Sequence, residues 1–226
     1  NLSKNHDLII CLDCGTVAFE GINAAQPKDV IVVDHHLAEE KLPAAYAVVN
    51  PSRQDESEDF KYLCATGMLF ILLVEANAQI KSDNKNAPDL FQFLDLVALA
   101  TIADVAPMTG LNRAFVKQGL TIMAKRKNPG LRALCDVCKL NSPPSTYDLG
   151  FLLGPRINAG GRIGNSKLGI ELLTSKTSAE AEGFANKLDE LNIDRRKIEA
   201  KALQEAEDQI AERNSKSALL WVAKEG

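Results

Sequence analysis

The stretch of sequence that decides the fold is Val30-Ile31-Val32-Val33-Asp34-His35-His36, in which four β-branched residues run directly into an acid and two histidines. A short run that is apolar at every position is typical of a strand buried on both faces of a parallel sheet. Ligands of open α/β sheets bind outside the carboxyl ends of the strands. The three polar residues therefore stand where chemistry is expected.

A second apolar strand precedes this one. Residues 8–12 read LIICL and end in Asp13-Cys14-Gly15, and residues 16–25 have the composition of a helix. Two all-apolar strands separated by a helix indicate a βαβ unit. We therefore expect an α/β fold, with a mostly parallel sheet flanked by helices, and one further short strand at 46–49.

The rest of the chain is predicted to be mainly helical. Helices are expected over 65–78, over 90–103 with Asp89 as its N-cap, and over 111–125, 129–140 and 178–213. The last would be about 50 Å long, which favours a helix that connects two domains. Residues 154–162, GPRINAGGR, are too rich in glycine for a helix interior and are predicted to form a loop.

These patterns predict three segments. Residues 1–175 would form a catalytic domain and residues 176–214 the connecting helix. Residues 215–226 would begin a truncated C-terminal domain, because 218–223 (ALLWVA) is strand-like. Both ends of the chain have the pattern of an interrupted fold, which indicates a fragment.

Composition limits the function classes. The formal net charge of −4 argues against a surface covered in basic residues, so a polyanion would have to be held by a local site. No apolar run approaches the roughly 20 residues of a membrane span, and the first residues given lack the basic-then-apolar order of a secretory signal. We expect a cytoplasmic protein with no membrane partner.

The five cysteines leave a zinc site open. Cys11 and Cys14, with Cys135 and Cys138, have the ligand count of a structural zinc site. Cys11, however, lies inside an apolar strand, and the second pair is one helical turn apart in an apolar segment. Small core residues that remain reduced thiols are the favoured interpretation.

Acids and histidines converge on one predicted edge of the sheet. Asp13 ends one strand, Asp34-His35-His36 ends the next, and Asp104 ends the helix that Pro107 stops. Taken alone, Asp13 could be a turn residue, the histidines a surface pair and Asp104 a solvated helix end. Together they predict a site for a hard divalent cation, Mn²⁺ or Mg²⁺, although zinc is not excluded.

Three motifs resemble those of the DHH phosphoesterase family. Asp13-Cys14-Gly15 resembles its second motif, Val33-Asp34-His35-His36 its third, and residues 97–107, VALATIADVAP, its fourth. The last of these, together with residues 154–162, is similar to the single-strand DNA exonucleases of the family and not to its pyrophosphatases. The resemblance covers essentially the whole chain.

The resemblance implies roles for individual residues. Asp13 would bridge two metal ions, and His35 and Asp104 would complete the ligands of one ion. His36 would face the scissile phosphate, while Asp34 would orient the imidazoles. The family's first motif, an aspartate-rich strand end that binds the other ion, is expected before Asn1.

The glycine-rich segment is the predicted substrate contact. Arginine side chains suit bidentate phosphate recognition, and Arg156 and Asn158 are expected to contact the nucleic acid. For Arg162 a substrate contact and a structural ion pair remain equally open. Neither Trp221 nor the eight phenylalanines alternate with basic residues, so the sequence indicates no platform for stacking bases.

By this resemblance the parent protein would be a metal-dependent 5′-to-3′ exonuclease of single-stranded DNA that acts in repair and recombination. Its partners would be the DNA strand and repair or replication proteins such as a helicase or a single-strand-binding protein. The fragment alone would be inactive. The alternatives are a phosphodiesterase for short oligonucleotides or cyclic dinucleotides, and a non-catalytic replication scaffold.

Overall fold

A computed structural model describes residues 5–26, 28–83, 85–213 and 219–223 of the chain. The elements are β1 (Leu8–Leu12), α1 (Phe19–Ala25), β2 (Asp29–Val33), β3 (Ala47–Val49), a 3-10 helix (Glu58–Phe60), α2 (Ala65–Ser82), a second 3-10 helix (Leu90–Phe93), α3 (Leu94–Ala103), α4 (Gly110–Met123), α5 (Pro129–Val137), α6 (Thr146–Asp148), a π-helix (Leu149–Leu153), α7 (Gly154–Ile163), α8 (Leu168–Thr174) and α9 (Ser178–Arg213). The α/β fold class expected from the sequence is confirmed.

The three strands form one parallel sheet in the order β1-β2-β3. Leu12 is paired with Val33, and Val33 with Val49, so all three strands end at the same level. Parallel strands require crossover connections, and α1 provides the one between β1 and β2. The residues that follow the strands are therefore neighbours at one edge.

The two faces of the sheet are not equally covered along β1. Val32 and Val33 of the central strand are buried, as expected. Leu8, Ile10 and Leu12 of β1, in contrast, are each about half exposed. The expectation of full burial fails here because β1 is the edge strand of the described sheet and only one of its faces packs on the core.

The first helix begins later than the sequence indicates. It was expected from Thr16 but starts at Phe19. The intervening turn contains Gly15 at φ 116°, where a Cβ atom would lie 3.0 Å from a methyl group of Val32. Only glycine fits this turn, because it tolerates positive φ and has no side chain to collide with the sheet.

Helices α3 and α4 pack very closely together. At Gly119 of α4 a Cβ atom would lie 2.2 Å from the Leu94 carbonyl oxygen. Beside this contact, Phe70 and Phe115 meet edge to face, with ring centroids 5.3 Å apart. The interlocked pair fixes the position of α3, and with it the position of the residue at the C-terminal end of α3.

The chain divides into two compact units. The first contains residues 1–127 and 142–154, and the second contains residues 128–141 and 155–226. In the second unit α5, α8 and α9 pack together around Leu134, Leu172 and Leu188, all fully buried. The predicted boundary near residue 175 does not coincide with this division, and the three functional segments remain predictions.

The segment 154–162 was expected to be a loop, and this expectation was wrong. It forms helix α7, from Gly154 to Ile163. Ala159 and Gly160 are buried there, and a Cβ at Gly160 would lie 3.1 Å from Leu188. Glycine costs a helix about 1 kcal/mol relative to alanine, and close packing on α9 offsets that cost.

The C-terminal end also departs from the sequence prediction. Helix α9 runs from Ser178 to Arg213, 36 residues, as expected. Residues 219–223, however, carry no strand, because no described segment pairs with them. Residues 215–218 and 224–226 of the predicted terminal domain, which include Ala218, lie outside the described residues.

Across the described residues, no helix combines the length and the apolar character that crossing a bilayer requires.

The close contact of α3 with α4 can be tested at Gly119. The change Gly119→Ala places a methyl group against the backbone of α3 and should lower the free energy of unfolding by about 1 to 3 kcal/mol. Gly183→Ala is the matched control, because its Cβ would meet nothing within 4 Å and should raise helix stability by up to about 1 kcal/mol. Urea unfolding measures both; equal effects would contradict the packing.

Candidate metal centre

The site is built by the ends of the three parallel strands. Asp13 follows β1, Asp34 follows β2 and Asn50 follows β3. The ladder continues one step beyond the strands, since Asp13 N–H donates to the Val33 carbonyl (2.9 Å) and Asp34 N–H to the Val49 carbonyl (3.0 Å). These backbone bonds set the three side chains in one row.

Asp13, His35 and His36 form a compact group of possible metal ligands. One ligand atom from each lies within 4.8 Å of the others. His35 Nε2 is 3.3 Å from Asp13 Oδ1, and His35 Nδ1 is 3.8 Å from Asp104 Oδ2. All four residues that the sequence predicted for the metal site or the scissile phosphate are therefore brought together.

Asp34 is buried beneath this group, with its side chain 2% exposed. Its Oδ1 accepts from two backbone groups, the His35 N–H (2.8 Å) and the His36 N–H (3.4 Å), and from the His36 ring Nδ1 (2.7 Å). Its Oδ2 accepts from the Thr16 N–H (3.1 Å). Burial alone would raise the pKa of this carboxyl, but the hydrogen bonds from His36, Thr16 and His35 hold it far below its usual range. Asp34 is therefore an anion that orients both histidines.

The bond to Asp34 also decides which nitrogen of His36 remains available. An ionised carboxylate can only accept, so Nδ1 carries the proton and Nε2 is left for a ligand. The same bond, supported by the negative charge of Asp34, raises the pKa of His36. The ring is more than half exposed, so Nε2 can reach a substrate.

Asp104 stands at the C-terminal end of α3, which is unfavourable ground for an anion. Burial raises the pKa of Asp104, and the negative charge of Asp13 adds to the rise while His35 and His36 oppose it. A divalent cation between Asp13 and Asp104 would offset the repulsion between the two carboxylates. It would also compensate for the unfavourable position of Asp104 at the end of the helix. Carboxylate oxygens with imidazole nitrogen are a donor set that suits Mn²⁺ or Mg²⁺.

The backbone is strained at two points of the site. Asp13 has φ 60° and Val105, directly after Asp104, has φ 56°. A β-branched residue in this region is a genuine outlier, and such strain is frequent where a structure holds functional groups in place. Each strained residue either is a candidate ligand or adjoins one.

Sequence reasoning missed Asn50 and Thr16, two buried residues that connect the strand ends of the site. Asn50 is 3% exposed, and its Nδ2 donates to both Thr16 Oγ1 (2.8 Å) and the His36 carbonyl oxygen (2.8 Å). Its Oδ1 accepts from the Ser52 N–H (2.7 Å). One signal could have found it, because Asn50 directly follows a predicted parallel strand, just as Asp13 and Asp34 do.

The predicted substrate residues lie on α7, in the second unit. Arg156 is 16% exposed, and its Nε donates to Asp189 at 2.8 Å. Asn158 and Arg162 are exposed and four residues apart, which places them on one face of the helix. The structure thus gives Arg156 an ion pair with Asp189. The sequence had left a structural ion pair open for Arg162 instead. Their contact with substrate remains a prediction.

The structure gives no support to a thiolate zinc site. Among the described residues, the group that could hold a metal contains Asp13 and the two histidines and no cysteine. Cys14 follows Asp13 in the sequence, and partial desolvation together with the nearby negative charges raises the pKa of its thiol, which disfavours the thiolate form.

The role of Asn50 can be tested with an isosteric change. Asn50→Asp replaces a donor by an acceptor that faces two oxygens, so it should displace His36 and the Thr16 turn and weaken Mn²⁺ binding about 10- to 100-fold. Asn77→Asp is the matched control. Asn77 lies in helix α2, is also buried and donates to the carbonyl oxygen of Pro88. Calorimetric titration with Mn²⁺ should separate the two variants, and an equal loss would argue against a specific role.

The full chain resembles curated single-stranded-DNA-specific exonucleases named RecJ. It is 39% identical to RecJ of Dickeya dadantii over 208 residues, which cover 88% of this chain and 36% of the relative. It is 38% identical to RecJ of Escherichia coli over 207 residues, again covering 36% of the relative. The chain thus spans about a third of the length of these curated relatives.

Solved RecJ structures have the same fold. The chain superposes on a crystal structure of exonuclease RecJ bound to manganese with a TM-score of 0.79 and 31% identity, over 92% of this chain and 52% of the other. RecJ of Thermus thermophilus in complex with Mn²⁺ gives a TM-score of 0.77 and 31% identity, over 90% and 30% of the two chains. Residues 1–101 also match the sequence profile described as "DHH family, N-terminal domain". The DHH tripeptide at the centre of the site lies inside this matched segment, so residues 1–101 have the features of a DHH N-terminal domain.

Proposed function

We propose that the protein containing this chain is a metal-dependent exonuclease that hydrolyses phosphodiester bonds of single-stranded DNA from the 5′ end. The observation that carries the proposal is the row of strand ends that brings Asp13, His35 and His36 together, with Asp104 3.8 Å from His35. The resemblance to RecJ exonucleases supports the substrate class. A role in DNA repair and recombination, with a helicase or a single-strand-binding protein as partner, is part of the proposal.

Asp13, His35 and Asp104 would hold one Mn²⁺ or Mg²⁺ ion, and Asp13 would also bridge to a second ion. Bound divalent ions would supply an activated water nucleophile and stabilise negative charge on the phosphate oxygens. Asp34 accepts the His35 backbone N–H at 2.8 Å and so fixes the main chain from which the His35 ring projects.

His36 would bind the scissile phosphate. Its Nδ1–H is committed to Asp34, so Nε2 is the ring atom left to face a phosphate oxygen. The Asn50 amide holds the His36 carbonyl from the opposite side. The ring therefore presents one polar atom to the substrate in a fixed direction, which favours the developing charge of the transition state.

The exposed face of α7 would contact the DNA backbone. Asn158 and Arg162 share this face, and a Cβ at Gly161 between them would meet nothing within 4 Å. A helix glycine that no protein packing requires leaves room for a strand to approach the backbone closely. Arg156 would act mainly through its ion pair with Asp189, which keeps α7 in place on α9.

The metal site can be tested with the histidines. In the full-length protein, His35→Ala should reduce hydrolysis of single-stranded DNA by more than the roughly 10- to 100-fold cost of losing an outer-shell partner, because a ligand is removed. His6, the third histidine of the chain, is exposed, and His6→Ala should leave the rate unchanged. Rates are measured on a 5′-labelled strand with Mn²⁺.

Three results would redirect the assignment. Undiminished hydrolysis by His35→Ala would remove His35 from the metal site. In a separate rate comparison, a wild-type protein that hydrolyses dinucleotides faster than long strands would instead be a phosphodiesterase for short oligonucleotides. If calorimetry shows that the wild-type protein binds no Mn²⁺, the proposed activity is wrong.

The α7 contact can be tested through the salt dependence of binding. Arg162→Ala should weaken the binding of single-stranded DNA and reduce the slope of log K against log salt by about 1, because one phosphate contact is lost. Arg196→Ala, another exposed arginine of the second unit, is the control and should change neither quantity. Equal slopes for Arg162→Ala and the wild type would exclude the contact.

A further inference from the structure

Two exposed aromatic rings stack on one another beside the C-terminal end of α3. The Tyr147 and Phe151 side chains are 63% and 68% exposed, their ring centroids are 4.7 Å apart and their planes differ by 24°. Phe70 and Phe115, in contrast, meet edge to face within the core. The exposed pair leaves flat apolar faces in water, an arrangement that folding alone does not favour.

The backbone beneath the pair is rigid and anchored. Leu149 and Leu153, on either side of Phe151, are fully buried. The turn before them is closed by a capping box, in which Ser145 and Asp148 each accept from the backbone N–H of the other. The rings are therefore exposed because the fold presents them, and not because the segment lacks contacts.

This segment lies against the residues that precede Asp104. At Gly150 a Cβ would be 3.3 Å from Ile102 Cγ2, and at Gly154 it would be 3.3 Å from Ala103 Cβ. Residues 149–153 form a π-helix, a rare conformation that is frequent at functional sites. Phe151 therefore belongs to the element that packs directly beside the metal centre, within the same unit.

We propose that Tyr147 and Phe151 form a stacking platform for a nucleobase of the bound single strand. The proposal rests on the proposed function, because it assigns a base contact to the same substrate. Aromatic side chains bind unpaired bases through their π-faces irrespective of base identity, which suits a nuclease that degrades strands of any sequence. The bases of the proposed single-stranded substrate present flat faces of this kind, so we assign the exposed rings to a base.

The experiment measures binding separately from cleavage. Full-length wild type and Phe151→Ala are titrated in EDTA against fluorescent single strands, in which an abasic spacer replaces one base at a time. Phe151→Ala should weaken binding of the unmodified strand by about 5- to 100-fold, the range for the loss of one stacked base. Phe151→Trp should bind at least as tightly as the wild type.

The decisive comparison is between the side chain and the base. At one position the spacer should weaken binding to the wild type and cause little further loss with Phe151→Ala, because the two changes remove the same contact. Phe91→Ala is the matched control, since Phe91 is 69% exposed but lies in the 3-10 helix before the other end of α3. It should bind every strand within about twofold of the wild type, on the usual scale of a neutral surface change.

Two results would overturn the platform while leaving the proposed function intact. One is wild-type binding and cleavage of DNA together with unchanged binding by Phe151→Ala. The other is a loss that is the same at every spacer position, accompanied by a lower melting temperature, which would mean that another part of the protein packs on the rings. If the wild type itself neither binds nor cleaves single strands, the proposed function fails first.

Discussion

Three parallel strands that end in register are the constraint on which the site depends. Because Leu12, Val33 and Val49 are paired across the sheet, the next residue of each strand is placed in the same row. A shift of one residue in the register would turn the side chains of the shifted strand to the opposite face. Asp13 and the Asp34-His35-His36 segment are thus positioned by main-chain hydrogen bonds, before any side chain contributes.

The buried Asp34 carboxylate converts this row into a site. It accepts hydrogen bonds from Thr16 in the first strand-end turn and from both histidines in the second, while Asn50 joins Thr16 to the His36 carbonyl. A buried carboxylate without these donors would be neutral and would orient nothing. Among the residues that the structure describes, none donates a backbone N–H to the side chain of Asp13 or Asp104, and a divalent cation would offset the repulsion between these two carboxylates.

In the second unit, packing outweighs the local conformational preference of the chain. Helix α7 contains glycines that disfavour a helix, yet Gly160 and Ala159 are buried, and a Cβ at Gly160 would lie 3.1 Å from Leu188. The cost in helix propensity is small compared with a steric clash in a core, so packing decides. Arg156 follows the same logic, because the helical conformation of α7 places its side chain beside Asp189.

The amino-acid sequence by itself determined the strands at 8–12 and 30–33, the long helix at 178–213 and the convergence of Asp13, His35, His36 and Asp104. These features follow from periodicity, helix caps and strand ends, which are local properties of the chain. Tertiary structure alone decided the contacts of Asn50 and Thr16, the helical state of 154–163, the pairing of Arg156 and the exposure of the Tyr147 and Phe151 rings. The contacts of Asn50, Thr16 and Arg156 join residues that are remote in sequence. The exposure of the two rings depends on which other segments pack against them. Their free energies arise from packing and burial, which no local pattern contains.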